Sequence, residues 1–427
     1  MPTLVIIGAL WGDEAKGKLV DVLASDADYV VRYSGGNNAG HTVQAAGHTF
    51  KFHLIPSGVL HKNVTAVLGA GMVVCPKAFL DELETTKQKS PELGRILISS
   101  AAHVVFPYHR TLDALEEENR GEGKIGTTSR GIGPAYQDKV ARVGIRMCEF
   151  VDPERFRARL CEVVEYKNRV LDMHGKPGIS IEPIIEEYSA YADKLRPFVC
   201  DADFEVNRAI HAGKRVIFEG AQGAMLDLDL GTYPFVTSSH PTAGGACLVG
   251  LPPKKVDNVL GVCVAYTTRV GSGPFPTELS GEFADRLRIA GNEFGTSTGR
   301  PRRVGWLDLV ALRHSCLMNG FTSLAVTRVD VLSGFGSIKA CVGYKIGDEV
   351  TTEFPADTAL LSRAEPQFET LEGWDGDLSA CKSTNELPSG ARGLIEFIER
   401  YTGVPVSLVS VGPNREETIV RDRGLLI

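Results

Sequence analysis

The chain has 427 residues, 43% of them hydrophobic and 23% charged, with a formal net charge of −7. That length allows two or three average domains or one enlarged α/β domain, and the acidic balance excludes a global pull toward nucleic acid or an anionic membrane. Nine cysteines with no Cys-x-x-Cys pair argue against a disulfide framework or a structural zinc site and suit a reducing, cytoplasmic setting.

Taken in chain order, LVII at 4–7 is a short run rich in β-branched residues. A glycine-bearing loop follows, then the amphipathic KLVDVLASDA and a second run, YVVRY, at 29–33. This reads as strand, loop, helix, strand, a parallel unit that aims the free N–H groups of the helix at whatever lies beyond the first strand. The N-terminus lacks a basic n-region and no stretch approaches a membrane span, so neither a signal peptide nor an anchor is expected.

The first loop nearly spells a phosphate-binding motif. Gly12, four residues, Gly17 and Lys18 fit G-x-x-x-x-G-K-[ST], but Leu19 stands where a hydroxyl would hold magnesium. After the second strand comes SGGNNAGHT at 34–42, with glycines for a sharp turn and Asn37, Asn38, His41 and Thr42 as polar groups. Asp13 and His41 are expected to face each other from these adjacent loops, one able to accept a proton or hold a cation, the other to donate a proton.

Further strands are expected in AVLGAGMVV at 66–74, VIFEG at 216–220, VLGVCVAYTT at 259–268, LAVTRVD at 324–330 and VSLVSVG at 406–412. Between about 150 and 213 the pattern turns helical, opening at Pro153, and reads as an inserted lobe. The glycine-rich stretches at 125–142 and 219–239 are too polar for strand interiors and read as long loops. With no repeat or charged linker, one central sheet with insertions is preferred over independent domains.

Two more segments carry chemistry. VTRVD at 326–330 places Asp330 at a strand end, where a carboxylate can accept from guanine N1–H and the 2-amino group, although such an Asp is often only a cap. GTSTGRPRRVGW at 295–306 sets Arg300, Arg302 and Arg303 beside small hydroxyl residues, a composition suited to clamping carboxylates or phosphates.

Together these blocks, with IGTTSRGIGPAY, EGAQG, GTYPFVTSS, GPFPTEL and TRVDVL, resemble the adenylosuccinate synthetase family along the whole chain. The resemblance implies an α/β fold: a large central, mostly parallel sheet with a P-loop-like nucleotide site, flanking helices, and inserted helical and small β subdomains. It implies a single domain over 1–427, with the helical insertion at about 100–213 and the guanine-binding part at about 320–427. It also implies a cytoplasmic homodimer that couples IMP and L-aspartate at the expense of GTP, with one Mg²⁺ per subunit and neither nucleic acid nor membrane as partner.

Carried over residue by residue, the resemblance makes Asp13 the base, His41 the acid or hydrogen-bond donor, and Lys16 and Gln222 further catalytic groups. The metal would be held by Asp13 and the Gly40 carbonyl, which leaves Leu19 free to pack. IMP would meet Asp13, Glu14, Ala15, Lys16, Asn38, Ala39, Gly40, His41, Thr128, Gln222, Thr237 and Arg300, with Arg142 reaching in from the partner subunit. GTP would meet Gly12, Asp13, Glu14, Ala15, Lys16, Gly17, Lys18, Gly40, His41, Thr42, Arg302, Arg328, Val329, Asp330, Ser410, Val411 and Gly412. The aspartate loop would comprise Thr296, Ser297, Thr298, Gly299, Arg300, Pro301 and Arg302.

Three positions depart from the family pattern. Ala15 stands for the usual Gly, harmless if its φ is negative. Arg328 stands for the usual Lys, its planar guanidinium still expected to cover a purine face. Ser34 stands for the usual Gln, leaving room near the purine. Two other readings are a GTP-binding switch, which does not explain the 295–306 and 231–239 blocks, and a relative that uses dGMP to make a 2-aminoadenine precursor, for which Ser34 speaks and the intact Asp13 does not.

Overall fold

The computed structural model describes residues 3–294, 299 and 301–426. Ten strands form the central sheet: β1 (Thr3–Gly8), β2 (Tyr29–Arg32), β3 (Thr65–Leu68), β4 (Arg95–Ser99), β5 (Val199–Cys200), β6 (Val216–Gly223), β7 (Asn258–Val264), β8 (Ser323–Thr327), β9 (Val406–Ser410) and β10 (Thr418–Val420). Their order is β10-β9-β8-β7-β1-β6-β2-β3-β4-β5, parallel except for the β9–β10 pair.

The centre of the sheet explains its apolar sequence. β1 is buried along its whole length, and successive side chains enter opposite cores because the strand period is two. Leu4 and Ile6 pack with Leu19 and Val20 of helix α1 (Lys16–Ala24), while Val5 and Ile7 pack with Phe218 and Val259 on the other face. Leu19 is fully buried, so the position lacking a hydroxyl serves the core.

The stretch expected to be helical carries helices at Pro107–Asn119, Ile132–Ala141, Pro153–Met173, Glu182–Leu195 and Ala202–His211 around an aromatic core of Phe106, Phe150, Phe156 and Tyr188. It is not wholly helical, since β5 within it returns to the edge of the central sheet. The strand β4, RILIS, is one the sequence reading passes over. AQG at 221–223, expected as loop, is the end of β6. A small sheet built on Ile338–Ile346, paired antiparallel with Glu349–Thr351 and Glu365–Leu371, forms the β subdomain.

Because the inner strands run parallel, their carboxyl ends share one edge. The segments after β1, β2, β6, β8 and β9, among them the glycine loop, SGGNNAGHT and TRVD, therefore converge there. Left-handed backbone at non-glycine residues gathers on the same edge: Asp13 (φ 63°), Ala15 (φ 64°), Gln222 (φ 58°) and Arg328 (φ 58°). Such conformations cost about 1–3 kcal/mol each and persist only where surrounding structure dictates them.

Candidate active site

The loop after β1 is organised from inside by Glu14. Its carboxylate is fully buried, accepts the backbone N–H of Leu10 at 3.2 Å and Gly12 at 2.7 Å, and pairs with Lys16 Nζ at 2.7 Å. Two glycines make room for it: a Cβ on Gly8 would lie 2.3 Å from Oε2, and one on Gly223 would lie 2.8 Å from Oε1. The loop then delivers its chain to the first turn of α1, which no side chain caps, so N–H groups and the positive dipole end face the loop's concave side.

Ala15 occupies the position before α1 with φ 64°, ψ 31°, so the condition under which its methyl group is harmless is not met. An L-residue pays about 1–2 kcal/mol for this conformation, partly offset by the lower unfolded-chain entropy of Ala. Ala15→Gly is therefore expected to raise stability by about 1 kcal/mol, read as a higher midpoint in urea unfolding. An unchanged or lower midpoint would show that the methyl group makes compensating contacts.

The two loop lysines have different tasks. An ammonium has three N–H donors, and Lys18 spends all three, on Ser410 Oγ (2.7 Å), Gly412 O (2.7 Å) and Glu417 O (3.0 Å). Burial pushes its pKa down to about 8, against the pull of Glu417 and Asp330. Lys18, expected on the nucleotide, thus ties α1 to the 410–417 segment. Lys16 has one such bond, to Glu14, and keeps donors for an anion.

His41 heads the strand His41–Ala45, and its Nδ1 contacts Glu219 Oε1 of β6. Glu219 also accepts from Ser57 N and Ser57 Oγ, both at 2.8 Å. Burial lowers the His41 pKa and outweighs the opposing pull of Glu219; burial would raise the Glu219 pKa, but His41, Arg32 and Ser57 together lower it. The pair is thus a neutral imidazole donating Nδ1–H to a carboxylate, with Nε2 left to face a ligand. Gly17 permits the loops to meet, since a Cβ there would lie 2.7 Å from the His41 Cβ. Glu219 was not singled out by sequence reasoning, although a carboxylate in the apolar strand VIFEG was the available signal.

Asp13 Oδ2 lies 2.8 Å from Arg302 Nε, and its side chain is 27% exposed. Arg302 Nη1 also meets Glu293 Oε2 at 2.8 Å. Arg328 Nη1 is fixed by Glu293 Oε1, by the Gly291 carbonyl at 2.7 Å and by Tyr266 Oη at 3.1 Å. The expected purine cover at Arg328 is therefore a guanidinium anchored through one nitrogen. Asp330 follows at the start of a short 3-10 turn, its carboxyl pushed upward by burial. Val329 N reaches the Ser410 carbonyl at 3.3 Å and Val411 N reaches Glu417 O at 3.0 Å, joining the two strand ends of the expected guanine site.

On the β2 side, Asn38 Oδ1 accepts from Gly36 N at 3.1 Å, and Ala39 O meets His53 Nδ1 at 2.6 Å. Ser34 Oγ, Asn37 Oδ1 and both amide atoms of Gln222 are buried without hydrogen-bond partners. A Cβ on Gly35 would lie 3.3 Å from each Gln222 amide atom, so the loops after β2 and β6 present these groups together. Gly40 is half-buried, Thr42 and Thr128 are exposed, and Thr237 N bonds to Leu226 O at 2.9 Å. Arg142 is exposed at the left-handed end of the helix Ile132–Ala141. Thr296, Ser297, Thr298 and Arg300 lie outside the described residues, whereas Gly299 and Pro301 are described.

An Asp227, Asp229, His240 group has ligand atoms within 4.8 Å of one another, but Asp227 is engaged as a loop organiser by Asp229 N, Leu230 N and Thr242 Oγ1. It carries none of the phosphate-binding features found around Asp13.

A profile of the adenylosuccinate synthetase family matches residues 5–419. The chain belongs to that family. Similar proteins include the adenylosuccinate synthetases of Desulfitobacterium hafniense strain DCB-2, 51% identical over 99% of both chains, and of Bacillus licheniformis, 49% identical over 98% of both. The solved, fully ligated family member from Plasmodium falciparum superposes with a TM-score of 0.93 at 39% identity, covering 98% of this chain and 99% of its own. The cyanophage S-2L succinoaminodeoxyadenylate synthetase, solved with dGMP and dATP, has a TM-score of 0.61 at 19% identity and shows likeness of fold alone. Family membership makes the chain a GTP-dependent ligase of purine biosynthesis and removes the switch-protein reading. Among the described residues no helix is long and apolar enough to cross a membrane.

The burial that keeps His41 neutral acts on His53, His103, His109 and His314 as well, each held below the usual imidazole range and His103 at about 4. A base with a lowered folded pKa binds fewer protons folded than unfolded, so stability is full above about pH 6.5 and falls on acidification, by up to about 1.4 kcal/mol per pH unit per group. Glu82, Asp308 and Asp330, raised by burial, the first two to about 7 and about 6, act in the opposite direction but are fewer. The denaturation midpoint is expected to drop from pH 6.5 to 4.5; a flat or rising profile would contradict neutral histidines.

Proposed function

We propose that this chain condenses IMP with L-aspartate to give adenylosuccinate, with GTP converted to GDP and phosphate, by way of 6-phosphoryl-IMP. The observation that carries the proposal is the meeting, on one sheet edge, of the half-exposed Asp13, Lys16 with donors to spare and His41 oriented by Glu219. A carbonyl oxygen is a poor leaving group, so the purine O6 must be activated. Asp13 removes the N1 proton, and O6 then attacks the γ-phosphorus with GDP departing. Lys16 and the free N–H groups of α1 stabilise the charge that gathers on the transferred group. His41 Nε2, brought beside a polyphosphate, gains proton affinity, takes up a proton from solvent and, as an imidazolium, donates it to the leaving diphosphate. The aspartate amine attacks C6, the C6–O6 bond breaks, and phosphate leaves with O6.

The donors of Asp13 and the Gly40 carbonyl fit magnesium: both are hard oxygens, to be joined by those of the nucleotide. Bound there, the ion would supply charge neutralisation for the phosphate oxygens. IMP falls to Asn38, Gln222, Thr128, Thr237 and Arg300, and L-aspartate to residues 296–302. The guanine base falls to Arg328 and Asp330. Arg142, exposed at a helix end, would serve the site of the partner in a homodimer, and the protein would act in the cytoplasm.

The test is adenylosuccinate formation from IMP, aspartate, GTP and Mg²⁺, with ATP replacing GTP and dGMP replacing IMP in parallel. Turnover with only the IMP and GTP set is expected. Turnover with dGMP alone would overturn the choice of purine and give the unpartnered Ser34 hydroxyl a part in it.

A further inference from the structure

Glu293 belongs to none of the expected site sets, yet its carboxylate is fully buried and cross-links three side chains. Oε2 accepts from Arg302 Nη1 at 2.8 Å; Oε1 accepts from Tyr266 Oη at 2.5 Å and from Arg328 Nη1. On its far side Arg302 forms an ion pair with Asp13, Nε lying 2.8 Å from Oδ2 without hydrogen-bond alignment, and Arg328 directly precedes the turn that carries Asp330. The result is an alternating row of charge, Asp13, Arg302, Glu293, Arg328, joining the loop after β1 to the loop after β8. The backbone reinforces the middle of the row, with Arg302 N donating to Glu293 O at 2.9 Å and a bridge between Phe294 and Pro301.

We propose that Glu293 is a positioning residue that couples the guanine subsite to the aspartate subsite. The inference rests on the functional reading above. One buried carboxylate shared by two guanidinium groups ties the placement of each to that of the other, so a ligand that orders one arginine helps to order the second. A nucleotide that settles against Arg328 therefore steadies Arg302 and, through it, Asp13. By reciprocity the aspartate steadies Arg328 for the nucleotide. Replacing the carboxylate by a neutral amide takes the shared counter-charge from Arg328, which is partly exposed, and leaves Arg302 with Asp13 alone, so each subsite must then be ordered separately.

The experiment measures the KM for aspartate at several GTP concentrations, and the KM for GTP at several aspartate concentrations, in the native chain and in Glu293→Gln. Native chain is expected to show each KM falling as the other substrate rises. Glu293→Gln is expected to lose that interdependence and to raise both KM values by about tenfold, with kcat changing less. Glu293→Asp, which keeps the charge with a shorter reach, should restore part of the coupling. Should Glu293→Gln not fold, Arg328→Lys replaces it: a single ammonium at a position on the guanine side is expected to raise the KM for aspartate. Interdependence retained in Glu293→Gln, or an aspartate KM indifferent to Arg328→Lys, would overturn the inference. Native chain that forms no adenylosuccinate would instead overturn the functional reading itself.

Discussion

Asp13→Asn is expected to lower kcat by about a thousandfold while leaving the chain folded. The fold is preserved because Asn is among the few non-glycine residues that tolerate left-handed backbone, and position 13 has φ 63°. The chemistry is lost because an amide cannot take the N1 proton of IMP. The substitution also takes a negative oxygen from the proposed magnesium site and the counter-ion from Arg302 Nε, now 2.8 Å away. Steady-state rates with saturating IMP, GTP and aspartate, alongside a circular dichroism spectrum, check the expectation. A rate within about tenfold of native would remove Asp13 from the role of base.

Glu14→Ala should have the largest effect on stability. It strips the buried acceptor from the N–H groups of Leu10 and Gly12 and leaves the Lys16 ammonium, 3% exposed, without its partner. Breaking a buried pair by removing one member costs about 3–5 kcal/mol, because the remaining charge is neither solvated nor compensated. The loop also loses the group around which Gly8 and Gly223 are shaped, so GTP affinity should fall with stability. Glu14→Gln keeps one carbonyl acceptor and should cost less. Urea unfolding and GTP titration read both effects. A Glu14→Ala chain within about 1 kcal/mol of native would mean that water or a shifted Lys16 satisfies the loop.

Much of the site was legible because its signals are local. A β-branched run, a glycine loop and an amphipathic helix are each specified within a few residues, and LVII, KLVDVLASDA and YVVRY became β1, α1 and β2. Leu19 was assigned to the core through the family resemblance, and its full burial agrees. AQG at 221–223 misled because glycine and glutamine argue for loop, whereas these residues continue the strand that begins at Val216. The strand β4 was passed over because its five residues, RILIS, are too short for periodicity to separate strand from helix.

The sequence by itself determined the order of elements, the loops that bear chemistry and, through their resemblance, the family. Tertiary structure alone decided which charges meet. Lys18 donates to the 410–417 segment, Asp13 lies against Arg302, and Glu293 gathers Arg302, Arg328 and Tyr266. The physical reason is that strand and helix patterns arise from neighbours in the chain, whereas a buried charge selects whichever opposite charge or dipole the sheet order brings within about 3 Å, however distant in sequence.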